Sequence, residues 1–305
     1  MIITPTYNEG GFIRETIEGV TNKTIVPIKW VIVDDGSTDS TAEIVKQYEK
    51  GYEFIEYCKR VREADQSYYE SNVCAILEGY ERVKKLNFDY LAILDADMKL
   101  CKNYYQEIFK RFEANESLGI ATGTYIEDIG GSLKEALIDR RSTPKALQVF
   151  KRNCYEQIGG YIPFRYGGED AGAEILARMH GWKTWSFPEI RAFHQKPVGT
   201  GDGRSLLQGR FILGFREYSL GTHPVFMVAK CLRRCFIEYP YFTSGLTRFL
   251  GFICGYFSGE KRQLPRNAIR FLRQEQWSRL LRCVGLGPSM WRPVNSSPEE
   301  NEVGQ

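Results

Sequence analysis

Four short strings in this 305-residue sequence carry residues of the kinds that do chemistry. Thr4-Pro5-Thr6-Tyr7-Asn8-Glu9-Gly10 is the first, and Asp34-Asp35-Gly36-Ser37-Thr38-Asp39-Ser40-Thr41 the second. The third is Asp95-Ala96-Asp97, and the fourth, Gly167-Gly168-Glu169-Asp170, opens a helical pattern. Clustered carboxylates offer oxygen ligands of the kind that Mg2+ and Mn2+ take. A carboxylate at the start of a helix has a second use, as a general base for a hydroxyl group. Each string also has a purely structural reading. Asp34 to Gly36 suits a turn with a helix cap, Asp95 to Asp97 a solvated strand end, and Glu169-Asp170 a favourable interaction with the helix dipole. His194 is one of only three histidines, and a lone histidine is commonly a packed or solvated side chain.

The elements around these strings decide between the readings. Ile2-Ile3, Trp30 to Val33, Phe54-Ile55 and Leu91 to Leu94 are short apolar runs that read as strands. Val73, Ile76, Leu77 and Tyr80, then Tyr105, Ile108, Phe109 and Phe112, follow helical spacing. Ser40-Thr41-Ala42-Glu43 fits a capping box that starts a helix behind the Asp34-Asp35 turn. Buried parallel strands are near-continuous Val/Ile/Leu runs, so the expected fold is α/β: a mostly parallel central sheet with helices on both faces. Ligands of such sheets bind beyond the carboxyl ends of the strands. The first three polar strings all follow strand ends, so they converge on one edge. Trp182 to Phe187 reads as a later strand with His194 beyond it, and the stretch from Ile126 to Phe150 shows no periodicity.

Composition sets the frame. With 43% hydrophobic and 26% charged residues the chain is globular, as two small domains or one large one. The formal charge of +3 hides an asymmetry: residues 203–292 carry 15 basic against 4 acidic side chains, and residues 1–202 carry 26 against 31. Eight scattered cysteines without CxxC pairs read as reduced thiols of a cytosolic protein. Met1 leads straight into the first strand, with no signal-peptide pattern. The most apolar stretch, Tyr239 to Gly259, is interrupted by Pro240 and Arg248, which points to interfacial contact rather than a membrane span.

The strings TPTYNEG (4–10), VDDGSTDST (33–41) and DAD (95–97), in this order and each after an expected strand, resemble the nucleotide-sugar-binding half of family 2 glycosyltransferases of the GT-A (Rossmann-like) fold. The resemblance covers residues 1–200 and implies a catalytic domain over 1–202, with a donor half (1–125) and an acceptor half (126–202). It implies that Pro5, Thr6, Tyr7, Glu9, Asp34, Asp35, Asp95, Ala96 and Asp97 bind the nucleotide diphosphate sugar. It further implies that Asp97, Asp95 and His194 manage a divalent cation, Mg2+ or Mn2+. Such a donor brings negative charge among four aspartates, and a cation relieves that repulsion. GGED followed by Arg178 and Gly181-Trp182 is similar to the family's acidic-pair motif, which implies Asp170 as general base with Glu169 in support. One base and no nucleophile suits a single, inverting displacement. Lys196 and Arg204, flanking the Gly199 to Gly203 loop, are candidates to close over the diphosphate.

The back of the chain, residues 203–292, reads as a basic amphipathic helical extension, and 293–305 as a disordered tail. Aromatic and aliphatic residues beside Arg210, Arg216, Lys230, Arg233 and Arg234 suit either an anionic membrane surface or a packed appendage with a basic face. Nucleic-acid motifs are absent. The expectation is a cytoplasmic enzyme at the inner face of the cytoplasmic membrane that transfers a sugar to a glycan or lipid-linked saccharide. Polyprenyl phosphate as acceptor and a non-catalytic membrane-surface scaffold are the alternatives. The sequence carries no sign of oligomeric state.

Overall fold

A computed structural model describes residues 1–22, 25–129, 131–136, 138–196, 205–283 and 285. Among the described residues nine strands form one sheet: β1 (Ile2–Thr6), β2 (Trp30–Asp34), β3 (Ile55–Lys59), β4 (Tyr90–Ile93), β5 (Met98–Leu100), β6 (Leu118–Ile129), β7 (Ser132–Glu135), β8 (Val149–Lys151) and β9 (Lys183–His194). Their order is β3-β2-β1-β4-β8-β6-β9-β5, with β7 on β6. Following the pairings across the sheet, β1, β2, β3, β4, β6 and β9 run in one direction, and β5, β7 and β8 run against them. All five residues of β1 and of β2 are buried, as expected for strands covered on both faces.

Helices cover both faces. On one side lie α1 (Ile13–Thr21), α2 (Thr41–Gly51) and α4 (Tyr104–Glu113), which turn Ile13, Ile17, Val20, Val45, Ile108 and Phe112 into one core. On the other lie α3 (Tyr68–Val83), α5 (Arg152–Ile158) and α6 (Glu169–Met179), which bury Val73, Ile76, Cys154, Tyr155, Ile175 and Leu176 in a second core. In α1 and α4 the buried side chains recur at helical spacing, so burial of an apolar stripe explains these helices.

Three local expectations change. Helix α2 starts at Thr41, but Ser40 makes no capping hydrogen bond; the Asp39 carboxylate instead accepts from the amide of Thr41 at 3.0 Å. The strand expected over Trp182 to Phe187 continues to His194, because β9 bulges past β6 between Gly123 and Thr124 and then pairs onward. The segment from Ile126 to Phe150 holds the end of β6, the fully exposed β7, a 3-10 turn at Lys145–Leu147 and the start of the three-residue β8. An exposed hairpin arm and a strand this short carry too little apolar pattern to be seen in sequence.

Four helices make the extension: α7 (Leu206–Ser219), α8 (Pro224–Ile237), α9 (Thr243–Phe257) and α10 (Arg266–Cys283). Helices α7 and α9 cross at backbone contact. A Cβ on Gly214 would stand 1.9 Å from the Arg248 carbonyl oxygen, and one on Gly251 2.0 Å from that of Phe211. Helix α10 returns to the sheet, where Ala268 and Leu272 join the core of α3, α5 and α6, and Glu275 pairs with Arg178 at 3.1 Å. All eight cysteines are free thiols. Among the described residues no helix is long and apolar enough to cross a membrane. Arg204, the Gly199 to Gly203 loop and the 293–305 tail lie outside the described residues.

Candidate active site

The carboxyl ends of β1 and β2 are stitched to each other. The side-chain oxygen of Asn8, a residue held at φ 54°, accepts from the amide of Thr38 at 2.8 Å, and the Asn8 amide donates to Ser37 Oγ at 2.9 Å. The Glu9 amide donates to Thr41 Oγ1 at 2.8 Å and the Gly10 amide to Asp39 Oδ2 at 2.9 Å. Loops that leave two neighbouring parallel strands thus behave as one rigid lip. Pro5 and Thr6 lie buried within it, and Thr6 Oγ1 has no hydrogen-bond partner among the described residues. Tyr7 is exposed, with the Arg62 guanidinium 5.4 Å above its ring.

Inside the lip every acidic side chain has a partner. Asp34 accepts from the Tyr57 hydroxyl at 2.7 Å and the Ser37 amide at 2.8 Å. Asp35 accepts from Arg60 and from the Ser71 hydroxyl on α3. Glu9 takes Lys196 Nζ at 2.6 Å on both oxygens. Burial pushes the Glu9 carboxyl up to about 7, and Lys196 offsets only part of that rise. Lys196 therefore sits on the donor lip. Ala96 packs into the core, where its carbonyl accepts from Thr16 Oγ1 at 2.7 Å.

Backbone pairing brings Asp97 to His194. β5 begins directly after Asp97 and pairs antiparallel with the end of β9, so that Met98 faces His194, and the Gln195 amide donates to the Asp97 carbonyl at 2.9 Å. The result is His194 Nε2 at 3.3 Å from Asp97 Oδ2. Burial alone would raise the Asp97 carboxyl and lower the His194 imidazolium, but each partner reverses the other's shift, so Asp97 is lowered and His194 raised. Among the described residues His194 Nδ1, which is buried, has no hydrogen-bond partner. A carboxylate oxygen beside an imidazole nitrogen, with spare valence around them, is a donor set that fits a divalent cation such as Mn2+ or Mg2+. Asp95 is separate from this pair: Lys145 Nζ lies 2.6 Å from its Oδ1 and 2.9 Å from Asn72 Oδ1. Among the described residues no three His, Cys, Asp or Glu side chains gather as a ligand group.

The acidic pair faces the same space from α6. Gly168 precedes the helix at φ 105°, a left-handed turn that glycine accepts without strain. One oxygen of Asp170 accepts from the Ala171 amide at 2.7 Å, and Asp170 is only partly buried. Glu169 is buried and accepts from the Gly168 amide at 2.9 Å. Burial first, then the Asp170 charge, raises the Glu169 carboxyl against the pull of Lys145. Lys145 itself is held charged: burial would lower it, and Asp95 and Glu169 more than restore it. Tyr125 makes a second link, since its ring meets His194 at 5.3 Å and its hydroxyl feels Asp170.

Lys145, Tyr125, Arg60 and Ser71 escape the sequence reading. Lys145 comes from the stretch without periodicity; its signal is a Pro144-Lys145 turn just ahead of an apolar strand. Its placement is structural, because the amides of Ile93 and Asp95 donate to the carbonyls of Gln148 at 2.8 Å and Ala146 at 3.1 Å, which pins the turn beside the end of β4.

Comparison with known proteins agrees with this geometry. The family described as Glycosyl transferase family 2 matches residues 1–169, more than half the chain. A putative teichuronic acid biosynthesis glycosyltransferase of Bacillus subtilis is 33% identical over 102 residues, which cover 33% of this chain and 37% of that protein. A poly-beta-1,6-N-acetyl-D-glucosamine synthase of Staphylococcus epidermidis is 27% identical over 117 residues, 38% of this chain and 26% of that protein. The matches therefore span little more than a third of the first relative and about a quarter of the second. Among solved structures, a mannosyltransferase from Pyrobaculum calidifontis in complex with GDP-Man and Mn2+ superimposes with a TM-score of 0.55 at 15% identity, over 96% of this chain and 80% of that one. S. aureus TarS 1-349 in complex with UDP-GlcNAc gives 0.53 at 13% identity, over 70% and 64%. These likenesses carry the fold, which is GT-A. Fold, site and family match converge, and the chain belongs to glycosyl transferase family 2.

Proposed function

We propose that this glycosyltransferase moves a sugar from a nucleotide diphosphate donor to a glycan or lipid-linked saccharide, with inversion at the anomeric carbon. The observation that carries the reading is the Asp97–His194 pair, 3.3 Å apart, lying across Tyr125 from Asp170. The lip of Pro5, Thr6, Tyr7, Glu9, Asp34 and Asp35 receives the nucleoside. Both oxygens of Asp34 and of Asp35 already accept hydrogen bonds, so these residues shape the pocket through Tyr57, Arg60 and Ser71. Asp97 and His194 would hold Mg2+ or Mn2+, which supplies positive charge for the departing diphosphate. Asp95, fixed by Lys145, is assigned to the donor and its cation beside Asp97.

Asp170 accepts the proton of the acceptor hydroxyl. The hydroxyl oxygen then bonds to the anomeric carbon while the bond from that carbon to the phosphate oxygen breaks, and the diphosphate leaves with the electron pair. Burial and the Asp170 charge raise the Glu169 carboxyl, which sits beside Asp170 as its supporting acid. Lys145 screens the two carboxylate groups, Asp95 and Glu169, from each other. The exposed apolar side chains of α8 and α9, Leu232, Phe236, Leu246 and Phe257 among them, support peripheral contact with a membrane that presents the acceptor.

Calorimetric titration with UDP, GDP, CDP and dTDP, with and without Mn2+, tests the donor site. One nucleotide should bind only with the metal, and Asp97→Asn should abolish that binding. Binding that ignores both metal and Asp97 overturns the assignment.

A further inference from the structure

One face of α10, with His223 at the cap of α8, lines an open groove of about 530 Å3 that holds Arg266, Arg270, Arg273, Trp277 and Ile269, and no acidic residue. Positions 266, 270, 273 and 277 fall on one face of α10, while Ala268, Leu272 and Gln276 face the interior. At the rise of an α-helix the backbone positions of the three arginines spread over roughly 10 Å, and their long side chains must converge to reach one phosphoryl group. Arg273 is oriented by its Nε bond to the Gly221 carbonyl at 2.9 Å. Arg266 and Arg270 make no ion pair among the described residues, whereas Glu275 on the same helix turns away to Arg178. Trp277 is 48% exposed and meets the His223 ring at 5.7 Å.

The groove opens onto an apolar track. His223 caps α8 by accepting from the Val225 amide at 3.2 Å. From that end Val225, Val228, Leu232 and Phe236 follow along α8 at helical spacing, 52%, 43%, 60% and 67% exposed. A cationic pocket at one end of an exposed aliphatic stripe has the polarity of an amphiphile in reverse. We propose that the groove binds the phosphoryl group of a phosphate-bearing amphiphile, with phosphate oxygens on Arg266, Arg270 and Arg273 and the apolar part along α8. Guanidinium groups suit phosphate because their planar donors engage two oxygens at once. The proposal does not depend on the donor site, since none of its residues belongs to that site.

The test uses the full chain carrying Asp97→Asn, so that the catalytic site does not hold the probe. Phosphatidylcholine vesicles with and without phosphatidic acid, and inorganic pyrophosphate, are titrated while Trp277 fluorescence is followed, with Trp277→Phe to identify the signal. Arg266→Gln and Arg270→Gln should each weaken binding about fivefold, and the pair together about 25-fold. Leu232→Ser with Phe236→Ser should weaken vesicle binding and leave pyrophosphate binding unchanged. Arginine-dependent binding of phosphatidic acid vesicles alone supports a lipid-borne phosphate; arginine-dependent binding of pyrophosphate as well supports a site for the phosphoryl group itself. If neither probe binds, or the double arginine variant binds as well as the parent, the proposal fails.

Discussion

The catalytic edge and the helical extension treat buried charge in opposite ways. At the edge, Glu9, Asp95, Asp97, Glu169 and Asp170 face three nearby basic side chains, Lys145, His194 and Lys196, and the acids outnumber the bases. In the extension each buried acid is over-matched. Glu217 has Lys230 and the Thr222 hydroxyl, and Glu238 has Arg210 at 2.7 Å, Arg248 at 3.1 Å and Arg234 at 3.4 Å. A carboxylate whose charge is matched inside the protein holds helices together. One left unmatched is held in readiness for something from outside, and its removal is felt in rate rather than in stability.

The largest expected effect follows from that contrast. Asp170→Asn should lower kcat about 10²- to 10⁴-fold with the thermal midpoint nearly unchanged, measured as nucleoside diphosphate release beside calorimetric unfolding. A variant that unfolds but keeps its turnover would erase the distinction between the two regions.

In the extension the sign reverses. Burial would raise the Glu217 carboxyl, but Lys230, Thr222 and Arg216 bring it down to about 2. Its ordinary value is 4.5, so between these values the unfolded chain binds the proton and the folded one does not. Stability from this group is complete above pH 4.5 and disappears as pH falls towards 2, by about 3 kcal/mol in all. Urea unfolding of the parent and of Glu217→Gln should differ by that amount at pH 7 and converge near pH 2. A gap independent of pH would mean that packing, not charge, is what the glutamate provides.

Asp39 tests the boundary between the two behaviours, because it sits at the catalytic edge with its charge fully used. One oxygen caps α2 at Thr41 and the other accepts from Gly10. Asp39→Ala should cost about 1 kcal/mol, as for a lost helix cap, and weaken nucleotide binding only through a looser lip. Melting curves and nucleotide titration of the same variant separate the two effects.

The contrast also explains what sequence alone can supply. The exits of β1, β2 and β4 are readable, to within a few residues, because an apolar run followed by polar residues marks a buried strand and its exit. The pairing of Asp97 with His194 was not, since it depends on β9 running on past Phe187 through Pro188 and Glu189, where no alternation announces a strand. Lys145 was hidden for a similar reason. Its role comes from being pinned beside β4 by two backbone hydrogen bonds, a long-range contact that leaves no periodic trace. The basic balance of residues 203–292 was plain from composition, but composition could not separate arginines spent on Glu238 from those left to line the groove on α10.

The short ladder between β5 and β9 has an evolutionary reading. Met98 opposes His194 and Leu100 opposes Ala192, so the spacing of Asp97 from its histidine is written in main-chain pairing and not in the chain between them. The roughly ninety intervening residues are a detour whose length never enters that spacing. A lineage with this ladder is free to lengthen the β6–β7 hairpin or the turns around it, while Asp97 and His194 stay where they are.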